Sequence, residues 1–351
     1  VSGTKLMIYG ATGYTGRLVA AEALDAGLRT VLAGRSAQKL EPMAHTLGLA
    51  ATAIGLGDAD RLAEAMADID VVLHCAGPFS QTAVPMFEAC LASGTHYIDI
   101  TGEIAVFETL AARDEEARRA GIMVLPGAGF DVVPSDCLIA DLAARHPGGH
   151  VLRLALATHS GVSRGTMRTV LESVNDFRIR RAGVIARVAP GSLRHEFDFG
   201  DGPATALVSA LGDVSTAWWS TGVPNIETYN RAGRRFRMMT RVSRWWGWLL
   251  AGRMAQAVLN SRVDRGTPGP SAAERRTSYG VLVAEIEDSG GGRTAARMRV
   301  PDPYGFTAKA AVAIAMRALV GDVHVGYQTP SSAYGADFMR QFDGVEWEQP
   351  G

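Results

Sequence analysis

Up to about residue 130, short apolar runs alternate with longer segments of helical period. The runs 6–9, 30–33, 52–55, 71–75, 97–100 and 123–125 are rich in β-branched and aliphatic residues and too uniformly apolar to keep one face wet. They predict strands of a parallel sheet covered on both sides. Helices are predicted between them at 17–26, 60–67, 83–92 and 107–120. Strands and helices in this alternation, joined by right-handed crossovers, make a doubly wound α/β sheet of Rossmann type.

After Pro126 the rhythm changes. A helix is predicted at 135–145, followed by a stretch at 151–159 whose period of two implies a sheet with one packed face. Further strands are predicted near 196–199, 206–210, 226–230, 280–287 and 296–300, with helices at 166–180 and 306–319. The expected second domain is α+β with a mainly antiparallel sheet. The predicted division is a nucleotide-binding domain over 1–130 and a substrate or oligomerisation domain over 131–324, with 325–351 packing back near the first.

Composition agrees with two domains, since 351 residues exceed the size at which one hydrophobic core stops growing. With 47% hydrophobic and 20% charged residues, the chain is not compositionally disordered. Its 35 basic and 36 acidic residues exclude duplex nucleic acid as the main partner, because that binding needs a clustered basic excess. Three cysteines, Cys75, Cys90 and Cys137, make neither a disulfide framework nor a zinc site. The apolar stretch 245–259 is broken by Arg253 and Gln256 and falls short of the roughly 18 to 20 apolar residues of a spanning helix. The first residues lack the basic start and apolar core of a secretion signal, so a cytoplasmic protein is expected, with the membrane surface as a peripheral option.

The first candidate chemistry follows the first strand: Gly10-Ala11-Thr12-Gly13-Tyr14-Thr15-Gly16, a GxxGxxG loop at a predicted strand-to-helix turn. Glycines there let the backbone approach a pyrophosphate, which amide N–H groups and the positive end of the helix then hold. At the end of the second strand, where an NAD enzyme would present Asp or Glu to the adenosine ribose, the chain reads Gly34-Arg35-Ser36, with Lys39 one turn on. Arg35, Ser36 and Lys39 are therefore expected to hold a 2′-phosphate, and the expected cofactor is NADP(H). Asp58 reads equally as an adenine contact or a helix N-cap. Ala76, Gly77 and Pro78 follow the fourth strand and let the cofactor pass close to the backbone, while His74 reads as a core histidine.

These residues carry a family resemblance. The chain resembles the saccharopine dehydrogenase-like NAD(P)-binding superfamily, and within it the branch of trans-acting enoyl reductases of bacterial lipid biosynthesis. The matching stretches are the glycine loop, Gly34-Arg35-Ser36, Ala76-Gly77-Pro78-Phe79, Tyr97-Ile98-Asp99-Ile100-Thr101-Gly102-Glu103 and Gly127-Ala128-Gly129-Phe130-Asp131-Val132-Val133-Pro134-Ser135-Asp136, with Thr221-Gly222-Val223-Pro224-Asn225-Ile226 and Gly326-Tyr327-Gln328-Thr329-Pro330 further on. The resemblance implies that strands five and six end at a substrate cleft above the nicotinamide. Asp99, Glu103 and Asp131 are the catalytic candidates, and Tyr97, Thr101, Phe130 and Asp136 the substrate candidates. Asp99, Glu103 and Asp136 read equally well as helix caps. No cluster of arginines for an amino diacid is evident, so an amino-acid substrate is not expected.

Between 231 and 253 lie seven arginines, no acidic residue, and Phe236, Trp245, Trp246 and Trp248. Such a segment suits the phosphates of an acyl-thioester arm, a carrier protein or an anionic membrane surface, or else a packed helix or a homodimer interface. The expected function is an NADPH-dependent reductase of an unsaturated, apolar acyl or lipid-type substrate. Imine or ketone reduction and a non-catalytic nucleotide-binding protein are the alternatives.

Overall fold

The computed structural model describes residues 5–173, 176–233, 238 and 267–348. The chain divides into two compact units, Val1–Val133 with Tyr304–Ala333, and Pro134–Pro303 with Tyr334–Gly351.

In the first unit, β1 (Leu6–Tyr9), β2 (Thr30–Gly34), β3 (Ala50–Ala53), β4 (Val71–His74), β5 (His96–Asp99) and β6 (Met123–Leu125) are joined by a short strand, Gly326–Tyr327, from near the chain's end. All pair in parallel, with Gly326–Tyr327 at one edge followed by β6, β5, β4, β1, β2 and β3. The order of β3, β2, β1, β4, β5 and β6 is that of a Rossmann sheet, in which ligands bind beyond the carboxyl ends of the strands. Every residue of β1, β4 and β6 is buried, as uniformly apolar runs require. β3 departs from expectation: it lies two residues earlier than predicted and is mostly exposed, because it is the edge strand and its alanines face solvent.

Helices α1 (Tyr14–Asp25), α2 (Ala37–Leu47), α3 (Ala59–Met66), α4 (Phe79–Ser93), α5 (Ile104–Ala111) and α6 (Asp114–Ala120) connect the strands. The predicted helix 107–120 is in fact two. The break falls at Arg113, whose guanidinium pairs with Glu116 at 2.8 Å and Glu88 at 3.2 Å and lies 4.7 Å over the Phe87 ring of α4. From Tyr304 on, the long helix Pro303–Leu319 also belongs to this unit, although the sequence reading placed it in the second domain.

The second unit carries α7 (Val133–Arg145, from Pro134), β7 (Gly149–His159), α8 (Arg164–Ser173), β8 (Arg178–Arg181), β9 (Val184–Arg187), β10 (Arg194–Asp198), β11 (Pro203–Val208), α9 (Asp213–Thr221), β12 (Asn225–Arg231), α10 (Ala272–Thr277), β13 (Tyr279–Asp288), β14 (Arg293–Pro301) and the strand Glu346–Glu348. Its sheet is antiparallel apart from the β7–β12 pair, in the order β10, β11, β12, β7, β13, β14 and Glu346–Glu348. Pairing Leu152 with Ile286 and Leu154 with Ala284 puts these buried side chains on one face. The other face carries an ionic net in which Arg153 meets Glu287 at 2.7 Å and Glu227 at 3.5 Å. The predicted helix 166–180 ends at Ser173, and its last residues are instead β8, paired with β9. Of the basic, tryptophan-rich segment, only 231–233 and 238 are described, and the rest lies outside the described residues. Arg231 pairs with Asp201 at 2.8 Å and lies over the Phe199 ring. Among the described residues, no helix is long and apolar enough to cross a membrane.

Candidate functional site

The glycine loop leaves β1 and turns at once into α1, whose first residue is Tyr14 rather than the predicted 17. Gly10 has φ +84°, and a Cβ there would lie 2.7 Å from the Ala76 amide nitrogen. A Cβ on Gly16 would run into the Gly10 carbonyl oxygen. Both positions therefore need glycine, one for conformation and the other for space. Gly10 donates to the Ala33 carbonyl at 2.8 Å and Gly13 to the Gly10 carbonyl at 3.0 Å, which ties the loop to the end of β2. Gly13 is the N-cap of α1 and brings no side chain of its own to the helix end. A bare helix start behind a glycine turn fits a pyrophosphate. Thr12, Tyr14 and Thr15 are half-buried around it.

At the end of β2, Arg35 and Lys39 are exposed and Ser36 is half-buried. Ser36 is the N-cap residue of α2, yet its hydroxyl makes no capping bond. Two cations, an uncapped helix start and no acidic residue from Ala33 to Lys39 make a fitting cradle for a phosphate on the ribose. Asp58 is an N-cap: its carboxylate accepts from the Arg61 amide at 3.2 Å, the first backbone turn of α3.

His74, the last residue of β4, is wholly buried. Its Nε2 lies 3.0 Å from the Thr82 hydroxyl, which itself donates to the Ala76 carbonyl at 2.7 Å. That network shapes the turn Ala76-Gly77-Pro78, which lies against Gly10. Burial pushes the His74 pKa down to about 3, which leaves a neutral core histidine, as the sequence reading expected. Cys90 is also core, while Cys75 is only partly so.

Asp99, the last residue of β5, and Glu103 beyond it make hydrogen bonds that the sequence did not reveal. Asp99 is fully buried and accepts from the Tyr97 hydroxyl at 2.6 Å and from the Thr101 and Gly127 amides at 2.9 Å each. It thus staples the loop after β5 to the loop after β6. Burial raises its pKa to about 6, against the pull of those three donors. Glu103 does not cap its own helix with its side chain; its two oxygens accept from the Phe79 and Ser80 amides at 3.0 and 2.8 Å, in the first turn of α4. It places negative charge at the positive end of that helix and fixes the turn at Pro78. Asp99 caps neither neighbouring helix.

Asp131 differs from these two. It is exposed to solvent. It lies against Gly102, whose Cβ would be 3.4 Å from the carboxylate, so it brings the loops after β5 and β6 together. Tyr97, Thr101 and Phe130, the expected substrate contacts, are buried, and each makes a contact within the protein. The Tyr97 hydroxyl is engaged by Asp99, the Thr101 hydroxyl accepts from the Glu103 amide, and the Phe130 amide donates to the Thr307 hydroxyl at 3.0 Å. Asp136 is buried in α7 of the second unit and bonded to the Ser220 hydroxyl, not capping its helix from outside.

Sequence reasoning missed Tyr304, Phe306 and Thr307, the first turn of the long helix. The Tyr304 ring meets Tyr14 edge-on at 5.1 Å, and Phe306 meets Phe130 at 6.5 Å. No spacing in the sequence links these positions to the glycine loop.

Residues 6–125 match the saccharopine dehydrogenase NADP-binding domain family. A candidate trans-acting enoyl reductase from Mycobacterium tuberculosis is 28% identical over 94% of this chain and 93% of its own length. A trans-acting enoyl reductase of Mycobacterium leprae is 34% identical over 148 residues, which is 40% of this chain and 35% of that protein. In fold, the chain is similar to the apo L-Glu-forming saccharopine dehydrogenase of Saccharomyces cerevisiae, with TM-score 0.69 and 11% identity over 99% of this chain and 100% of that one. It is similar also to a homospermidine synthase of Legionella pneumophila in complex with NAD, with TM-score 0.66 and 10% identity over 99% and 91% of the two chains. The glycine cradle fits the nicotinamide dinucleotide that the matched domain implies, and with an NADP-binding domain of the saccharopine dehydrogenase kind over residues 6–125 the chain is an NAD(P)-dependent oxidoreductase.

Proposed function

We propose that the chain is an NADPH-dependent reductase of an unsaturated acyl or lipid-type substrate, reducing the C=C bond of an enoyl group. The observation that carries the cofactor preference is Arg35 and the uncapped Ser36 at the end of β2, where no carboxylate stands to accept from a ribose hydroxyl. The enoyl substrate is supported by the names of the two mycobacterial relatives, one of which is similar over nearly the whole chain.

A dinucleotide held there would supply the hydride that reduction of an enoyl group needs. The chain's own residues orient and protonate. The bare start of α1 and the cations at 35 and 39 hold the anionic groups of the dinucleotide, and Glu103 and Thr82 fix the turn Ala76-Gly77-Pro78 beside it. Asp131 supplies the proton to the α-carbon, since Asp99 is wholly buried and the Glu103 oxygens are taken up by the Phe79 and Ser80 amides, while Asp131 is exposed beside the loop after β5. Asp99 and Glu103 act as positioning residues.

The test is an NADPH and NADH fluorescence titration, followed by oxidation assays on enoyl thioesters, imines and ketones. Arg35→Ala is expected to weaken NADPH binding by more than tenfold, roughly 1.4 kcal/mol, while leaving NADH binding unchanged. Equal losses for both nucleotides would overturn the 2′-phosphate assignment, and turnover of imines alone would overturn the enoyl reading. Asp131→Asn is expected to lower kcat by about a hundredfold with NADPH affinity retained. A fall in affinity with kcat intact would move Asp131 out of the proton-donor role.

A further inference from the structure

The first turn of the helix Pro303–Leu319 is attached both to the start of α1 and to the loop after β6. The Tyr304 ring stands perpendicular to that of Tyr14, centroids 5.1 Å apart, and Tyr14 is the first residue of α1, directly behind the glycine turn. One turn on, the Thr307 hydroxyl accepts from the Phe130 amide at 3.0 Å, and a Cβ on Gly129 would lie 2.9 Å from the Thr307 methyl. Phe306, between them, is buried edge-on to Phe130. The Rossmann strands alone leave the glycine loop backed by β2 and β4 only; this turn supplies a further wall from the far end of the sequence. Both tyrosines remain half-buried, so the pair borders solvent where a ligand lying on the start of α1 would pass.

We propose that Tyr304 is a positioning residue of the dinucleotide site, holding the Tyr14 ring so that the start of α1 keeps the shape that receives the pyrophosphate. The edge-to-face contact fixes one rotamer of Tyr14, and an aromatic pair of this kind contributes beyond the area it buries. The inference rests on the dinucleotide reading of the glycine loop and assigns to that site a residue outside residues 6–125, the span of the matched domain. The ring rather than the hydroxyl carries the role.

The test is an NADPH fluorescence titration of wild type, Tyr304→Ala, Tyr304→Leu, Tyr304→Phe, Tyr14→Ala and the Tyr14→Ala/Tyr304→Ala double variant, with Arg35→Ala as reference and thermal unfolding without nucleotide as a check on folding. Tyr304→Ala is expected to weaken NADPH about tenfold, and Tyr304→Phe to bind like wild type. The double variant is expected to be no weaker than Tyr14→Ala alone, because the two residues act through one contact. Tyr304→Leu keeps apolar bulk without the ring and should show the same loss if the alanine variant fails to fold. Binding within twofold of wild type for Tyr304→Leu, or losses at 14 and 304 that simply add, would overturn the proposal while a weakened Arg35→Ala leaves the dinucleotide reading intact. A wild-type protein that binds no NADPH overturns both.

Discussion

Replacing Gly10 by Ala is expected to lower NADPH affinity by at least a hundredfold, roughly 2.8 kcal/mol, and to destabilise the chain as well. Two costs act at this position. The backbone sits at φ +84°, where an L side chain is strained by about 1 to 2 kcal/mol. The new Cβ would also lie 2.7 Å from the Ala76 nitrogen and 2.8 Å from the Ala76 Cβ, and neither can swing away as the tip of a long side chain would. Overpacking of this sort costs about 1 to 3 kcal/mol. Relief comes only by parting the β1 loop from the turn after β4, and these are the two segments whose backbones must lie close to a dinucleotide. The measurement is the NADPH titration paired with denaturant unfolding. Gly27→Ala is the control: its φ of +69° carries the same strain, but nothing lies within 4 Å of its Cβ, so it should lose stability and keep affinity. If Gly10→Ala binds NADPH as tightly as Gly27→Ala, the loop does not receive the pyrophosphate.

The parts of this fold that could be read from the sequence are those governed by local rules. The runs that became β1, β4 and β6 were legible because a strand buried on both faces has no polar position to spare. The glycine loop was legible because a tight turn between a strand and a helix leaves few residues to choose from. The β7 stretch was recognised by its period of two, and its pairing with β13 then accounts for the alternation. What stayed hidden depended on partners remote in sequence. The exposure of β3 follows from its place at the sheet's edge, which composition does not record. Arg113 breaks a helix that propensity would have continued because Glu88 and Phe87 wait for it on α4. Asp99 and Glu103 had the residue type and the position of catalysts or caps. Only the structure shows their oxygens occupied by amides at Gly127, Phe79 and Ser80. Tyr304 had no signal at all, since a contact across nearly the whole chain leaves no periodicity behind.

Asn in place of Asp99 and Gln in place of His74 are expected to bend the pH dependence of stability in opposite directions. The two residues are register partners at the ends of β4 and β5, and both are fully buried. The Thr82 hydroxyl has one proton and donates it to Ala76, so His74 must donate from Nε2, leaving Nδ1 as a buried acceptor with no partner. With its pKa lowered from 6.5 to about 3, the folded histidine stays neutral while the unfolded one takes up a proton. Its contribution is therefore complete above pH 6.5 and is lost as the pH falls toward 3, by about 3 kcal/mol between pH 7 and pH 4. Asp99 has the reverse sign. Its pKa is raised from 3.8 to about 6, so its contribution is complete below pH 3.8 and is lost as the pH rises through 6, again by about 3 kcal/mol. In the wild-type chain the two slopes oppose one another between pH 4 and pH 6. Denaturant unfolding at half-unit steps from pH 4 to pH 7 reads them separately. Wild type should lose stability relative to His74→Gln on acidification, and relative to Asp99→Asn on going to neutral pH. Differences that stay constant from pH 4 to pH 7 would mean that neither group changes its proton affinity on folding, and the buried pair would then be a packing feature only.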